Sequence, residues 1–318
     1  MTRVAAVDCG TNSARLLIAD VEIDGGGGGT LTDVVRRMEI TRLGQGVDRT
    51  GRLAPEAIER TRQTLAAYTV ELRQLGARRV RVVATSATRD ASNRDDFRDM
   101  VRSTIGVEPE VITGGEEAAL SFAGAVRGLS GAEPPYLVVD IGGGSTEVVL
   151  GDGHPDGPDG TMESVYSMDV GCVRLTERHF HGPDADPPTP AQIAAAEADV
   201  RAALEVARRT VSLDKARSVV GLAGSVTTVA AIALGLPRYD AERIHHSRID
   251  ATAIREVSDR LLAMTHAERA ALPVLHPGRV DVIGAGALVL RVIVEDIGAD
   301  QIIVSEHDIL DGIVLSLA

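Results

Sequence analysis

One segment of this sequence occurs twice. Val7–Leu17 reads VDCGTNSARLL and Val139–Val149 reads VDIGGGSTEVV. Val-Asp-x-Gly matches in both, and Ser13 and Ser145 fall in register. Each copy leaves a short apolar run, turns through small residues, and enters a second run rich in strand formers. A supersecondary unit repeated at this distance predicts a duplicated domain. The turn has its own chemistry. Small residues let successive backbone N–H groups approach a phosphate and form an anion nest. The Asp that ends the leading strand stands where a divalent cation can be held against phosphate oxygens.

Two common glycine motifs do not fit. A dinucleotide fingerprint opens a helix, whereas Thr146–Leu150 is β-branched and reads as strand. A P-loop places Lys after its last Gly, whereas Ser145 stands there. A third turn, GLAGSVTTVAA over Gly221–Ala231, reads as strand, Gly-Ser turn and helix start. Gly224 and Ser225 there are candidates for an anion at a helix N-terminus, and a tight strand–helix turn accounts for them equally.

The rest of the chain alternates strands with helices, an α/β pattern. Strands are expected at Val4–Val7, Ala14–Val21, Val34–Ile40, Val80–Ala84, Val111–Ile112, Tyr136–Val139, Thr146–Leu150, Val219–Leu222 and Gln301–Val304. Helices are expected at Leu53–Leu75, Phe97–Ile105, Glu116–Arg127, Val226–Leu234, Val282–Val294 and Ile309–Leu317. Another opens at Pro190, where Thr189 and Gln192 have capping-box spacing. Gly25–Gly29 reads as a hairpin tip, Gly151–Gly160 as a polar loop, and Pro183–Pro190 as a linker whose acids are solvated.

Composition narrows the function classes. Aromatic residues make up 2% of the 318, with no Trp, so base stacking has few platforms. The net charge of −13 argues against a nucleic-acid grip, although a local field in a cleft still suits an anionic substrate. Lys215 is the single lysine. A GC-rich genome accounts for that, and so does a preference for the planar guanidinium fork on phosphate. Cys9 and Cys172 are the two cysteines, which suits a reducing compartment. The start MTRVAAVDCG lacks the apolar core of a signal peptide, and no membrane span is expected. Cys9 reads as a small strand residue. His245-His246 and His179-x-His181 lack acidic or Cys partners at zinc spacing and read as surface or structural; adjacent His residues on a strand would face opposite ways.

Taken together, these motifs resemble the Ppx/GppA phosphatases, the exopolyphosphatases and guanosine pentaphosphate phosphohydrolases. The resemblance runs through ATSATRDA (Ala84–Ala91), ITGGEEAALSFAG (Ile112–Gly124), VGCVRLTERHF (Val170–Phe180) and SEHDILDGI (Ser305–Ile313), besides the repeated turns and GLAGSVTTVA. It implies a duplicated actin-like or sugar-kinase-like ATPase fold with an inter-domain cleft. The domains expected are 1–125, joined by the C-terminal helix at about 305–318, and 126–304. Longer members add a helical HD-type domain, and none is expected here.

The resemblance also assigns residues. Glu117 positions the attacking water, Arg89 neutralises the transferred phosphoryl group, and Asp140 and Glu147 hold Mg²⁺, with Mn²⁺ as a substitute. Asn12, Ser13, Gly142, Gly143, Gly144 and Ser145 would cradle phosphate. Asp8 is open between a metal-side ligand and a cap on its own turn, and Glu116 is the rival of Glu117. The implied activity is removal of the terminal phosphate of inorganic polyphosphate, processive or distributive. The alternative is 5′-phosphate hydrolysis of pppGpp, a nucleotide of the stringent response. A kinase and a non-catalytic nucleotide sensor are the other classes open to the fold. A cytoplasmic location is expected, without nucleic acid or membrane as partner, and a homodimer is left open.

Overall fold

The computed structural model describes residues 2–23, 29–153, 161–182 and 185–317. They divide into two compact units, residues 1–128 with 308–318, and residues 129–153 with 161–307.

The first unit contains β1 (Thr2–Cys9), β2 (Ser13–Ile23), β3 (Gly29–Ile40), α1 (Val47–Thr50), α2 (Pro55–Gln74), β4 (Arg79–Ala84), α3 (Ser86–Asp90), α4 (Arg94–Ile105), β5 (Glu110–Val111) and α5 (Gly114–Ala125). The second contains β6 (Tyr136–Ile141), β7 (Thr146–Asp152), β8 (Thr161–Met168), α6 (Cys172–His179), α7 (Pro190–Ala207), β9 (Ser218–Leu222), α8 (Ala223–Ala233), α9 (Ala241–Ile244), β10 (Arg248–Asp250), α10 (Ala251–Ala263), α11 (His266–Ala270), α12 (Ile283–Asp296) and β11 (Gln301–Ser305). The closing helix α13 (Ile309–Ser316) belongs to the first unit.

The two sheets run in the same order. The first is β3-β2-β1-β4-β5 and the second β10-β11-β9-β6-β7-β8. In each, an antiparallel hairpin and a third strand flank a parallel core: β4 joins β1, and β9 joins β6. Removing the edge strand β10 leaves two matching five-stranded sheets, the duplicated α/β fold expected from the repeat. Central strands covered on both faces are apolar throughout. Accordingly β6 is buried along its whole length. On β1 the side chains alternate: Ala5, Val7 and Cys9 join the core with Leu65, Tyr68 and Phe97, while Val4 and Ala6 meet Ile309, Leu310 and Ile313.

Most expected elements appear within a residue or two of their places. The capping box of Thr189 and Gln192 is formed, with Pro190 at the first helical position. Three helices start earlier than expected: α4 opens at Arg94, α5 at Gly114 because Thr113 caps it, and α8 at Ala223. The hairpin tip at Gly25–Gly29 and the loop at Gly151–Gly160 lie largely outside the described residues. Of the Pro183–Pro190 linker, Asp186 is not merely solvated: its carboxylate pairs with Arg269 at 3.2 Å and accepts the His266 N–H at 2.6 Å. Among the described residues no helix is long and apolar enough to cross a membrane.

Helix α13 returns to the first unit through glycine contacts with α5. A Cβ on Gly124 would overlap the Asp308 carbonyl, and one on Gly312 would overlap the Leu120 carbonyl. A side chain there must push backbone apart, an overpacking strain typically worth about 1–3 kcal/mol. Gly312→Ala is therefore expected to lose about that much stability in urea unfolding, whereas Gly115→Ala, with its nearest contact at 4.0 Å, is neutral or stabilising. Equal midpoints for the two variants would remove the close crossing as a determinant of the fold.

Candidate functional site

The two repeated turns close identically. The Gly10 N–H donates to Ser13 O at 2.9 Å, and the Gly142 N–H donates to Ser145 O at 3.0 Å. A Cβ would stand 3.3 Å from the facing carbonyl at Gly10 and 3.0 Å at Gly142, so the second turn in particular demands glycine. Each turn is also backed by donors from a separate segment. In the first unit, Gly44 N donates to Thr11 O, and Thr41 N and Arg42 N both donate to Asn12 O, at 2.8–3.1 Å. In the second, the first turn of α6 supplies the donors: Cys172 N to Gly142 O, and Val173 N and Arg174 N to Gly143 O, at 2.9–3.1 Å. A trans peptide directs its C=O and N–H to opposite sides. Carbonyls drawn backwards therefore leave N–H groups aimed the other way. Among the described residues, the N–H groups of Thr11 and Asn12, and of Gly143, Gly144 and Ser145, donate to no protein acceptor. Successive N–H groups without a protein acceptor have the form of an anion nest.

The carboxylates sit on the strands flanking these turns. Asp8 pairs across the hairpin with Arg15, and Asp140 with Glu147, at matching positions of the repeat. The consequences differ in sign. Arg15 Nη2 meets Asp8 at 2.6 Å, and its Nη1 bonds Asp308, the N-cap of α13. Asp8 is thus an ion-pair partner, a third role beside the two held open for it. Burial pushes its carboxyl up and Arg15 opposes that, while Oδ1 is buried without a hydrogen bond. Asp140 and Glu147, 8% and 1% exposed, face each other as like charges; Ser167 Oγ donates to Glu147 Oε1 at 2.7 Å. Directly opposed carboxylates repel, and a hard divalent cation with oxygen ligands relieves that. No three His, Cys, Asp or Glu side chains gather as a ready cage among the described residues. Mg²⁺ needs none, since it binds through one or two carboxylates plus waters and substrate phosphate. The pair fits such an ion.

Arg89 and Glu117 meet in the first unit. Arg89, on α3, donates from Nη1 to Glu117 Oε2 at 3.1 Å and to Ile112 O at 3.0 Å. Glu117 lies in the first turn of α5, whose cap Thr113 accepts the Glu116 N–H. The two adjacent glutamates separate clearly. The Glu116 side chain is 44% exposed and pairs with Arg81 at 2.8 Å, whereas that of Glu117 is 12% exposed.

The profile of the Ppx/GppA phosphatase family matches residues 21–318. The chain belongs to this family. It is 53% identical to "Exopolyphosphatase 2" of Mycobacterium tuberculosis, covering all of this chain and 99% of that protein. Among solved structures, it resembles an exopolyphosphatase-like protein (43% identity, TM-score 0.91, 99% and 98% coverage) and the Aquifex aeolicus Ppx/GppA family member (31%, 0.78, 99% and 97%).

The third turn of this family member departs from the phosphate-nest reading. Ala223, at φ +70°, holds a left-handed conformation that disfavours a side chain. Gly224 lies flat against the Arg279 guanidinium, where any Cβ would overlap it. Arg279 Nη1 donates to Gly224 O at 3.3 Å. Ser225 points inward: it hydrogen-bonds the buried Cys172 thiol and fills the space a Cβ on Gly286 would take. Ser225 is thus a packing residue, and Arg279 is the cation at this turn. The sequence carried no local signal for Arg279, which lies 55 residues from the glycine it covers. Cys9 is buried and its thiol is pushed up by burial, as suits a strand residue.

The histidines at 245 and 246 do not face apart. His246 takes φ +61°, which stacks its ring on His245 at 3.7 Å between centroids; His307 lies 4.3 Å from His245. His246 Nε2 is buried without a partner, and burial, then His307, lowers its pKa. A folded-state pKa below the unfolded value of about 6.5 means that the unfolded chain takes up the proton first. Stability is then full above that value and declines as pH falls through it. His246→Asn, which tolerates the left-handed backbone, is expected to flatten the decline in unfolding free energy between about pH 7 and 5.5. An unchanged slope would assign the acid sensitivity elsewhere.

Proposed function

We propose that this chain is an exopolyphosphatase that releases orthophosphate from the end of inorganic polyphosphate. The observation that carries this reading is the backed turn found in each unit, whose N–H groups suit phosphate oxygens; in the second unit it adjoins Asp140 opposite Glu147. Full-length similarity to a protein named an exopolyphosphatase supports the substrate class. Cleaving a phosphoanhydride requires charge stabilisation and a placed water more than covalent chemistry. Gly143, Gly144 and Ser145 in the second unit, and Asn12 in the first, offer N–H groups to phosphate oxygens. Glu117 accepts a proton from the attacking water, and Arg89 both orients that carboxylate and neutralises phosphoryl charge. Asp140 and Glu147 would hold Mg²⁺ or Mn²⁺, which supplies charge neutralisation for a polyanion. The buried, unpaired cysteines fit the cytoplasm as its compartment.

Polyphosphate is favoured over pppGpp by the placement of the aromatic residues. Tyr68, Phe97, Phe122 and Tyr136 are buried in the cores, so few rings are left to stack a guanine. The test is kcat/KM for polyphosphates of graded length and for pppGpp, at fixed salt, with Mg²⁺ and with excess EDTA. Activity on polyphosphate that is lost in EDTA and weakened by Asp140→Asn is expected. A value for pppGpp about tenfold above every polyphosphate would overturn the assignment, and full activity in EDTA would remove the metal.

Glu117→Gln keeps size but removes the base, and turnover should fall by about 10²–10⁴ with substrate binding retained. Glu116→Gln, an exposed residue whose partner is Arg81, should leave turnover close to wild type. The reverse pattern would move the base by one position.

A further inference from the structure

Each free N–H of the Gly142–Ser145 turn shares a peptide with a carbonyl that is taken from behind. Gly142 O accepts from Cys172 N, and Gly143 O accepts from Val173 N and Arg174 N. These fix the N–H groups of Gly143 and Gly144. The third peptide is different, because its carbonyl, Gly144 O, is held by a side chain: Arg174 Nε donates to it at 2.6 Å. No backbone donor reaches Gly144 O among the described residues.

We propose that Arg174 is a positioning residue for phosphate binding, which pins the Gly144 carbonyl so that the Ser145 N–H faces the substrate. The inference deepens the polyphosphate reading and rests on it for the identity of the anion. Three features support it. The peptide is planar, so fixing its oxygen fixes the direction of its hydrogen. The donor is charged, and a charge-assisted bond of this length is stronger than a neutral one; it also polarises the peptide toward a more positive N–H. Finally, α6 cannot drift from the turn, because Gly171 packs so closely that a Cβ there would stand 2.5–2.7 Å from the Gly143–Gly144 backbone. Arg174 therefore acts from a fixed base. The first repeat reaches the same end with backbone alone, through Thr41 and Arg42 on Asn12 O, so the side-chain clamp is particular to the second.

The experiment combines kinetics with amide spectroscopy. Arg174→Gln is too short to hold Gly144 O from the same backbone. It is expected to lower kcat/KM on polyphosphate on the order of ten- to a hundredfold, less than the loss of a direct donor, with a melting temperature near wild type. Arg174→Lys should restore part of the loss. With protein labelled by ¹⁵N-glycine and ¹⁵N-serine, titration of the wild type with orthophosphate should shift the amides of Gly143, Gly144 and Ser145. In Arg174→Gln the Ser145 response should be lost while those of Gly143 and Gly144 persist. Activity of Arg174→Gln within about twofold of wild type, a margin far below the loss of one such donor, would overturn the inference. So would a wild-type Ser145 amide that ignores orthophosphate, a result that stands even if the variant folds poorly. If wild-type protein releases no phosphate from polyphosphate, the functional reading fails, and the orthophosphate titration still decides the role of Arg174.

Discussion

The planarity of the peptide bond governs the rest of this site. A glycine turn by itself has no preferred face: its N–H groups can point to substrate, to solvent or back into the fold. Here the carbonyls at the back of each turn are occupied, and the N–H groups have one direction left to them. The first four N–H groups of a helix lack partners inside it. In α6 the first of them are used on Gly142 O and Gly143 O, so the helix end orients the backbone of the turn. The same arrangement explains why Gly171 admits no side chain: there the layers touch at backbone distance.

This constraint marks the limit of what the sequence disclosed. The repeat, the strand–turn–strand frame and the pairing of Asp140 with Glu147 were legible, because they depend on residues within one hairpin and on a period of two. The backing segments were not. Arg174 acts on a glycine 30 residues earlier, and Arg42 contributes its N–H, which no residue type reveals. Asp186 was misread for a similar reason, since its partner Arg269 lies 83 residues on. Ser225 was open between an anion site and a tight strand–helix turn; its side chain packs inward against Cys172 and Gly286. A local pattern predicts what a backbone can do, while the packing around it determines which way a side chain turns.

Arg89 and Glu117 illustrate how burial selects between equivalent residues. Glu116 and Glu117 share a helix turn and a charge, and either complements the positive end of α5. A helix rotates its side chains by about 100° per residue. That rotation carries Glu116 outward to Arg81 and Glu117 inward to Arg89. A guanidinium hydrogen-bonded to a largely buried carboxylate fixes the orientation of that carboxylate.

The duplicated hairpins finally show how one scaffold was given two electrostatic tasks. At the same cross-strand position the first copy carries Arg15 and the second Glu147. In the first, Arg15 neutralises Asp8 and ties it to Asp308 at the head of α13, so charge is settled within the protein and the C-terminal helix is anchored beside the turn. Arg36 extends the same tie to Asp311, one turn along α13. In the second copy, Asp140 faces Glu147 across the hairpin, and Ser167 Oγ donates to Glu147 Oε1. A single change of sign at one register position separates a hairpin that ties down the C-terminal helix from one that sets two carboxylates against each other.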